Sequence, residues 1–175
     1  MKKKNFGHYY LKGIKKNLQG RYREALEDYT KEIEQNPSNV DAYIKRGTLG
    51  YKILKRYKSS LLDFSQAIEL DPNCAVAYLH RGIVQCHLLN FREALPDFDK
   101  AIELDPNDER SYFNRGKNKY MLKYEKNEVL EDLERAVRLG SAAAADMINL
   151  FYGQDQSLVR DAITKGVEEK ARDID

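Results

Sequence analysis

The heptapeptide AIELDPN occurs twice without change, as Ala67 to Asn73 and, 34 residues later, as Ala101 to Asn107. A period of that length belongs to chains that stack a small supersecondary unit, because one such unit cannot bury its own apolar face. The period runs well beyond the heptapeptide. Pro37, Pro72 and Pro106 stand 35 and 34 residues apart, and Tyr9, Tyr43, Tyr78 and Tyr112 keep steps of 34, 35 and 34. Gly13, Gly47, Gly82 and Gly116 follow each tyrosine by four residues. Between glycine and proline come an aromatic (Tyr22, Tyr57, Phe91), a small residue (Ala25, Ser60, Ala94) and a second aromatic (Tyr29, Phe64, Phe98).

Within one period the apolar residues have helical spacing. In the third, Ala75, Tyr78, Leu79, Ile83 and Cys86 recur every three to four positions, and Phe91, Ala94, Leu95, Phe98 and Ile102 do so again after Leu89 and Asn90. Each repeat is therefore expected to be two amphipathic helices. Gly82 and Ala94 carry no bulk where the two would cross, with Tyr78 and Phe98 filling the surrounding space. The proline of AIELDPN ends a helix, and its Asn or Asp is placed to cap the next. Pro96, inside a second helix, removes one internal hydrogen bond and predicts a bend.

The step from glycine to second helix is 9 residues in the first and third repeats and 10 in the second. In the fourth, matching Glu128, Leu130, Asp132 and Ala136 to Glu93, Leu95, Asp97 and Ala101 puts Lys126 opposite Phe91, so Tyr124 should sit in a longer turn. After Gly140 the markers vanish. Residues 142–152 read as the first helix of a truncated fifth repeat, and Leu158, Ala162, Ile163 and Val167 mark an amphipathic last helix over 155–171 that would cap the stack. The chain thus divides into a flexible start (1–5), four repeats (6–39, 40–74, 75–108 and 109–140) and capping helices with a tail (141–175). Its outermost residues, 1–4 and 172–175, are expected to fray.

These markers resemble the tetratricopeptide repeat family: a large aromatic, a Gly four residues on, an aromatic opening the second helix, an Ala, an aromatic, a further Ala and a closing Pro. Tyr78, Gly82, Phe91, Ala94, Phe98, Ala101 and Pro106 fill every place in the third repeat. Departures are Glu32 where later repeats have Ala67 and Ala101, Ser60 at a small-residue place, and Gly140 closing the fourth repeat. The resemblance implies an all-α fold, a right-handed superhelical solenoid of antiparallel helix pairs.

Composition narrows the function by exclusion. Thirty basic residues face 28 acidic ones, so no global field selects nucleic acid or membrane. The charge is uneven, however: residues 1–58 hold 15 basic and 6 acidic side chains, and residues 59–175 hold 15 and 22. No window approaches the roughly 18 apolar residues of a membrane span. Lys2, Lys3 and Lys4 do not lead into an apolar block, and Cys74 and Cys86 would stand too far apart on one helix to be bridged. A reducing, cytoplasmic location is the expectation.

His80 and His87 lie two helical turns apart, too far to share a zinc ion, and adjacent Cys86 and His87 point in different directions with no orienting carboxylate. There is no glycine-rich phosphate loop. No catalytic residue, metal or cofactor is therefore expected, and the chain reads as a non-enzyme. The recurring Arg46, Arg81 and Arg115 with Asp63, Asp97 and Asp132 read as one ion pair per repeat.

In the family the resemblance implies, first helices line a concave groove for a peptide or a partner helix. Carried over by the Tyr and Gly register, the groove residues are Tyr10, Ile14, Asn17, Ile44, Thr48, Tyr51, Lys52, Leu79, Ile83, His87, Phe113, Lys117, Tyr120 and Met121, with Cys86 beside them. One subset of the family grips a chaperone C-terminal carboxylate with Lys and Asn, a second Asn, then Lys and Arg. The corresponding places hold Tyr10 and Ile14, Lys45, then Val76 and His80, or in the next register Ile44 and Thr48, His80, then Arg110 and Asn114. Neither register reproduces the clamp.

The expected function is a non-catalytic adaptor or scaffold that holds a protein or peptide ligand in the groove. The alternatives are a structural subunit that self-associates through its C-terminal helix, forming a homo-oligomer, and an RNA-binding helical repeat using the basic first third. RNA-reading repeats use a regular set of side chains, and Ile14, Thr48, Ile83 and Lys117 show no such code.

Overall fold

The computed structural model describes residues 7–153, and every regular element among them is an α-helix. In chain order these are α1 (His8–Leu18), α2 (Tyr22–Gln35), α3 (Val40–Lys52), α4 (Tyr57–Leu70), α5 (Ala75–His87), α6 (Phe91–Leu104), α7 (Glu109–Met121), α8 (Lys126–Arg138) and α9 (Ala142–Tyr152). They match the expected pairs, including α8 opening at Lys126 with Tyr124 in the turn before it, and α9 spanning 142–152. The expected helix over 155–171 and both chain ends lie outside the described residues.

The chain forms two compact units, Met1–Leu88 and Leu89–Asp175. In the first, α1 packs on α2, α2 on α3, α3 on α4 and α4 on α5, and α3 also touches α5. In the second, α6 packs on α7, α7 on α8 and α8 on α9. Within each unit, connections of a few residues turn each helix back against the one before it.

The repeated glycine is explained by the second aromatic. A Cβ on Gly13 would stand 2.6 Å from Tyr29 Cε1, and one on Gly47 2.9 Å from Phe64 Cζ. Both rings are fully buried, so the helices meet at van der Waals contact only if the first carries no side chain there. In the fourth repeat Leu133 takes the ring's place beside Gly116. The cores follow from these crossings: Tyr10, Ala25, Tyr29, Ala42 and Leu49 in one cluster, Tyr51, Phe64 and Val84 in the next, and Val129, Leu130, Leu133, Ala136, Ala144 and Ile148 in the second unit.

Glu32, the departure at an alanine place, is buried and closes the start of the first unit. Its Oε2 accepts from the Tyr10 N–H at 3.1 Å, and its Oε1 accepts from Asn39 Nδ2 at 2.9 Å. Gly7 stands at the N-cap of α1 with no side chain to offer, so this carboxylate supplies the missing acceptor at the positive end of the helix. Asn39 in turn caps α3 through the Ala42 N–H.

In both copies of the heptapeptide the aspartate shapes the turn. Asp71 Oδ1 accepts from the Asn73 N–H at 3.0 Å and Asp105 Oδ1 from the Asn107 N–H at 3.2 Å. The N-cap places of the following helices fall just beyond the heptapeptide, at Cys74 and Asp108, so its Asn and Asp serve the turn rather than the next cap. Helix α6 continues through Pro96, its sixth residue.

Candidate protein-binding faces

The first-helix residues expected to line a groove divide by burial. Tyr10, Tyr51 and Leu79 are buried at 4%, 4% and 1% exposure, so their side chains support the face rather than present it. In the first unit Ile14, Asn17, Ile44, Thr48 and Ile83 are half-buried, while Lys52 and His87 are exposed. In the second unit Phe113 and Tyr120 are half-buried, and Lys117 and Met121 exposed. Ile44 and Ile83 both pack against the cluster of Tyr51, Phe64 and Val84. Of the fourteen residues that the register carries over, these three are thus buried and the other eleven half-buried or exposed, a distinction of rim from core that periodicity alone does not make.

Rings order the face at the end of α3. Tyr51 Oη lies 3.0 Å from His80 Nδ1, and His80, itself buried, stacks on Phe64 at 5.5 Å between centroids. His87 stacks on Tyr57 at 4.9 Å. The two histidines thus serve ring packing. Among the described residues no group of three His, Cys, Asp or Glu side chains is placed to hold a metal ion.

In the second unit Tyr120 and Met121 share a cavity of about 460 Å³ with Lys123, Tyr124, Lys126 and Tyr152. Phe151 lies against Tyr120 at 4.8 Å, and Lys126 Nζ stands 5.4 Å over the Tyr152 ring. The groove residues carried over by the register do not include the last four of these, and the displacement of Tyr124 into the turn is the sequence feature that points to this cavity.

The Arg and Asp ladder is structural, and it does more than pair within a repeat. Arg46 Nη2 meets Asp63 Oδ1 at 2.6 Å, and Arg115 Nη2 meets Asp132 Oδ1 at 2.6 Å. Each arginine also reaches the preceding second helix: Arg46 to Thr30 Oγ1, Arg81 to Ser65 Oγ and Arg115 to Asp99 Oδ1. Each guanidinium lies over the motif tyrosine three residues earlier, Tyr43, Tyr78 or Tyr112, at 5.6 to 5.8 Å. Asp63 and Asp132 are buried, so removing either arginine would leave a buried carboxylate short of a partner, unlike a surface bridge.

Helix pairs with this glycine and aromatic crossing define a helical repeat protein. Tetratricopeptide repeat models match residues 19–75 and 75–108, together more than half of the chain. The chain belongs to the tetratricopeptide repeat family. No curated protein matches its sequence at a significant level.

Among solved structures, the first TPR of Spaghetti (RPAP3) bound to the HSP90 peptide SRMEEVD is 28% identical with a TM-score of 0.64. The alignment covers 66% of this chain and 91% of that one. The second TPR domain of human RPAP3, in complex with the HSP70 peptide SGPTIEEVD, is 27% identical with a TM-score of 0.60, covering 63% and 92%. MamA from Desulfovibrio magneticus RS-1 shares the fold over more of the chain, at 20% identity and a TM-score of 0.73, covering 94% and 95%. No helix among the described residues is long and apolar enough to cross a membrane.

Proposed function

We propose that the protein is a non-catalytic interaction module that holds a peptide or helix of a partner protein on the exposed faces of its first helices. The observation that carries this reading is the mixed character of those faces. Half-buried Ile14, Ile44 and Ile83 in one unit, and Phe113 and Tyr120 in the other, stand beside exposed Lys52 and Lys117. Half-buried apolar side chains edged by cations suit an amphipathic segment with some negative charge. The RPAP3 relatives, each described with a bound chaperone peptide, support a peptide ligand in kind.

The ligand differs from theirs in how it is gripped. At the places of the carboxylate clamp, Tyr10 and His80 are buried, Arg110 Nε is committed to Asp108 at 2.6 Å, and Asn114 Nδ2 donates to the Arg110 carbonyl. Peptides ending in EEVD should show no saturable binding by calorimetry. Ile83→Glu and Phe113→Glu, made separately, should each abolish capture of the partner while leaving the helical circular dichroism signal intact. Unchanged capture by both would remove the first-helix faces from the binding surface.

A further inference from the structure

Within the first unit, charge is divided across the width of the helix stack. Because each helix turns back on the one before it, α1 and α3 end, and α2 and α4 begin, on one edge. That edge, residues 15–24 and 52–58, carries eight basic side chains and one acidic, Glu24. The opposite edge, residues 32–41 and 69–75, carries five acidic side chains and no basic one. A net charge of +2 over the chain conceals this division. On the basic edge Lys16 pairs with Asp28 and Arg21 with Glu24. The other six, Lys15, Arg23, Lys52, Lys55, Arg56 and Lys58, are exposed and make no ion pair among the described residues.

Two aliphatic side chains stand among these cations. Leu18, the last residue of α1, is 83% exposed, and Ile53, the C-cap of α3, is 45% exposed. Each falls four residues before the aromatic that opens the second helix, Tyr22 or Tyr57, so both occupy the same turn tip in successive repeats. One exposed leucine needs no explanation, but a matched pair inside a cluster of unpaired cations does. The combination narrows the partner. Nucleic acid answers the charge, yet it calls for free rings to stack on its bases, and Tyr22 and Tyr57 are half-buried, with Tyr57 already stacked on His87. A folded protein must bring a pocket of its own for each aliphatic tip. A bilayer closes around whatever enters it, takes aliphatic side chains into its acyl boundary and, when anionic, holds the surrounding lysines and arginines at its headgroups.

We propose that this edge of the first unit docks on an anionic lipid bilayer, with Leu18 and Ile53 entering the acyl boundary and the six unpaired cations resting on the headgroups. Each cation near such a surface strengthens binding about fivefold, so the contact is peripheral and sensitive to salt. The opposite edge, with Glu34, Glu69 and Asp71, is repelled by the same surface, which gives the unit one orientation on it. Of the residues that carry this proposal only Lys52 belongs also to the peptide-binding faces, so the two readings can fail separately.

The chain holds no tryptophan, so Leu18→Trp places a single reporter at one tip. The full chain with this substitution is titrated with vesicles of phosphatidylcholine containing about 30% phosphatidylserine, and with vesicles of phosphatidylcholine alone. The expected result is a saturable blue shift of emission with the anionic vesicles, lost on raising salt from about 0.1 to 0.5 M, and no shift with the neutral ones. Leu70→Trp, 37% exposed on the opposite edge before substitution, should cosediment with the anionic vesicles equally well and show no shift. In cosedimentation of chains without tryptophan, K55Q/K58Q should bind about thirtyfold more weakly and L18S/I53S about tenfold more weakly, both with unchanged circular dichroism. An unshifted Leu18→Trp, equal binding to neutral vesicles, or undiminished binding by either double variant would overturn the proposal. So would affinity for single-stranded RNA or polyglutamate that K55Q/K58Q weakens, in a chain that ignores anionic vesicles, because the edge would then serve a different polyanion.

Discussion

Asp63 and Asp132 occupy the same place in two repeats and receive the same guanidinium contact, yet their surroundings differ in kind. Asp132 is held by Arg115 and Lys119, and Arg115 also pairs with Asp99 at 2.7 Å, so two cations and two anions close on one another. Asp63 has Arg46, a Ser60 hydroxyl whose hydrogen points elsewhere, and an open cavity that Gly50 and Arg56 also line. Burial acts against the charge on Arg115, but hydrogen bonds and attraction from Asp132 and Asp99 outweigh it and hold the guanidinium above its ordinary pKa. At Asp63 the balance falls the other way, and burial wins over Arg46. A buried carboxylate is stabilising only as far as its partners replace water, and the two repeats differ by one ammonium.

The strongest way to break this comparison is to remove each carboxylate. Asp132→Ala strands Lys119 and half of the Arg115 contacts, with those side chains only 17% and 20% exposed. It should cost about 3 to 5 kcal/mol. Asp63→Ala strands one guanidinium that keeps Thr30, and should cost about 1 to 3 kcal/mol. Urea unfolding midpoints of the two variants measure the difference, and equal losses would show that the second cation adds nothing.

Titration gives a gentler contrast, with a sign opposite to the usual aspartate. Because the Asp63 pKa is raised in the fold, the native chain takes up this proton at a higher pH than the unfolded chain does. The Asp63 contribution therefore favours folding as pH falls from the raised value to the ordinary aspartate value, about 3.9. It disfavours folding as pH rises through the same window. The double variant G50K/S60A gives repeat two the lysine and alanine that repeat one has as Lys16 and Ala25. Its added ammonium should lower the Asp63 pKa and remove that effect. Carboxyl carbon NMR of Asp63 in the two chains, with unfolding midpoints across the window, would show it.

The contrast between repeats was only partly legible in the sequence. The 34-residue period, with Gly13 facing Tyr29 and Gly47 facing Phe64, fixed the helix pairs because each marker answers a packing requirement that any repeat must meet. Even the shifted start of α8 at Lys126 could be read by counting. The cavity could not. Gly50 is one small residue among many in a helical pattern, and its meaning depends on Ser60 lying against it and on where the Ser60 hydroxyl hydrogen goes. Glu32 likewise looked like a blemish in the repeat, and its role at the Tyr10 N–H follows from geometry across 22 residues. The burial of Tyr10, Tyr51 and Leu79 was not legible either, because the family register gives a helix face, whereas depth comes from the neighbouring helices.

The smallest effects lie in the turns, where the same two repeats differ again. Each first helix hands over to its second through a residue of positive φ: Gly20 at 73°, Lys55 at 55°, Leu89 at 66° and Lys123 at 60°. In repeat two Lys55 stands two residues before the helix, and in repeat four Lys123 stands three before it. A side chain in this left-handed region costs about 1 to 2 kcal/mol, which glycine avoids while giving back part in unfolded-chain entropy. Lys55→Gly should therefore stabilise the protein by about 0.5 to 1 kcal/mol, and Gly20→Ala should lose a similar amount. The turns of repeats two and four each hold four residues, 53–56 and 122–125, so if the single φ angle sets the strain, Lys123→Gly will gain as much as Lys55→Gly. Unequal shifts in Tm would show that the place of the positive φ within the turn matters as well.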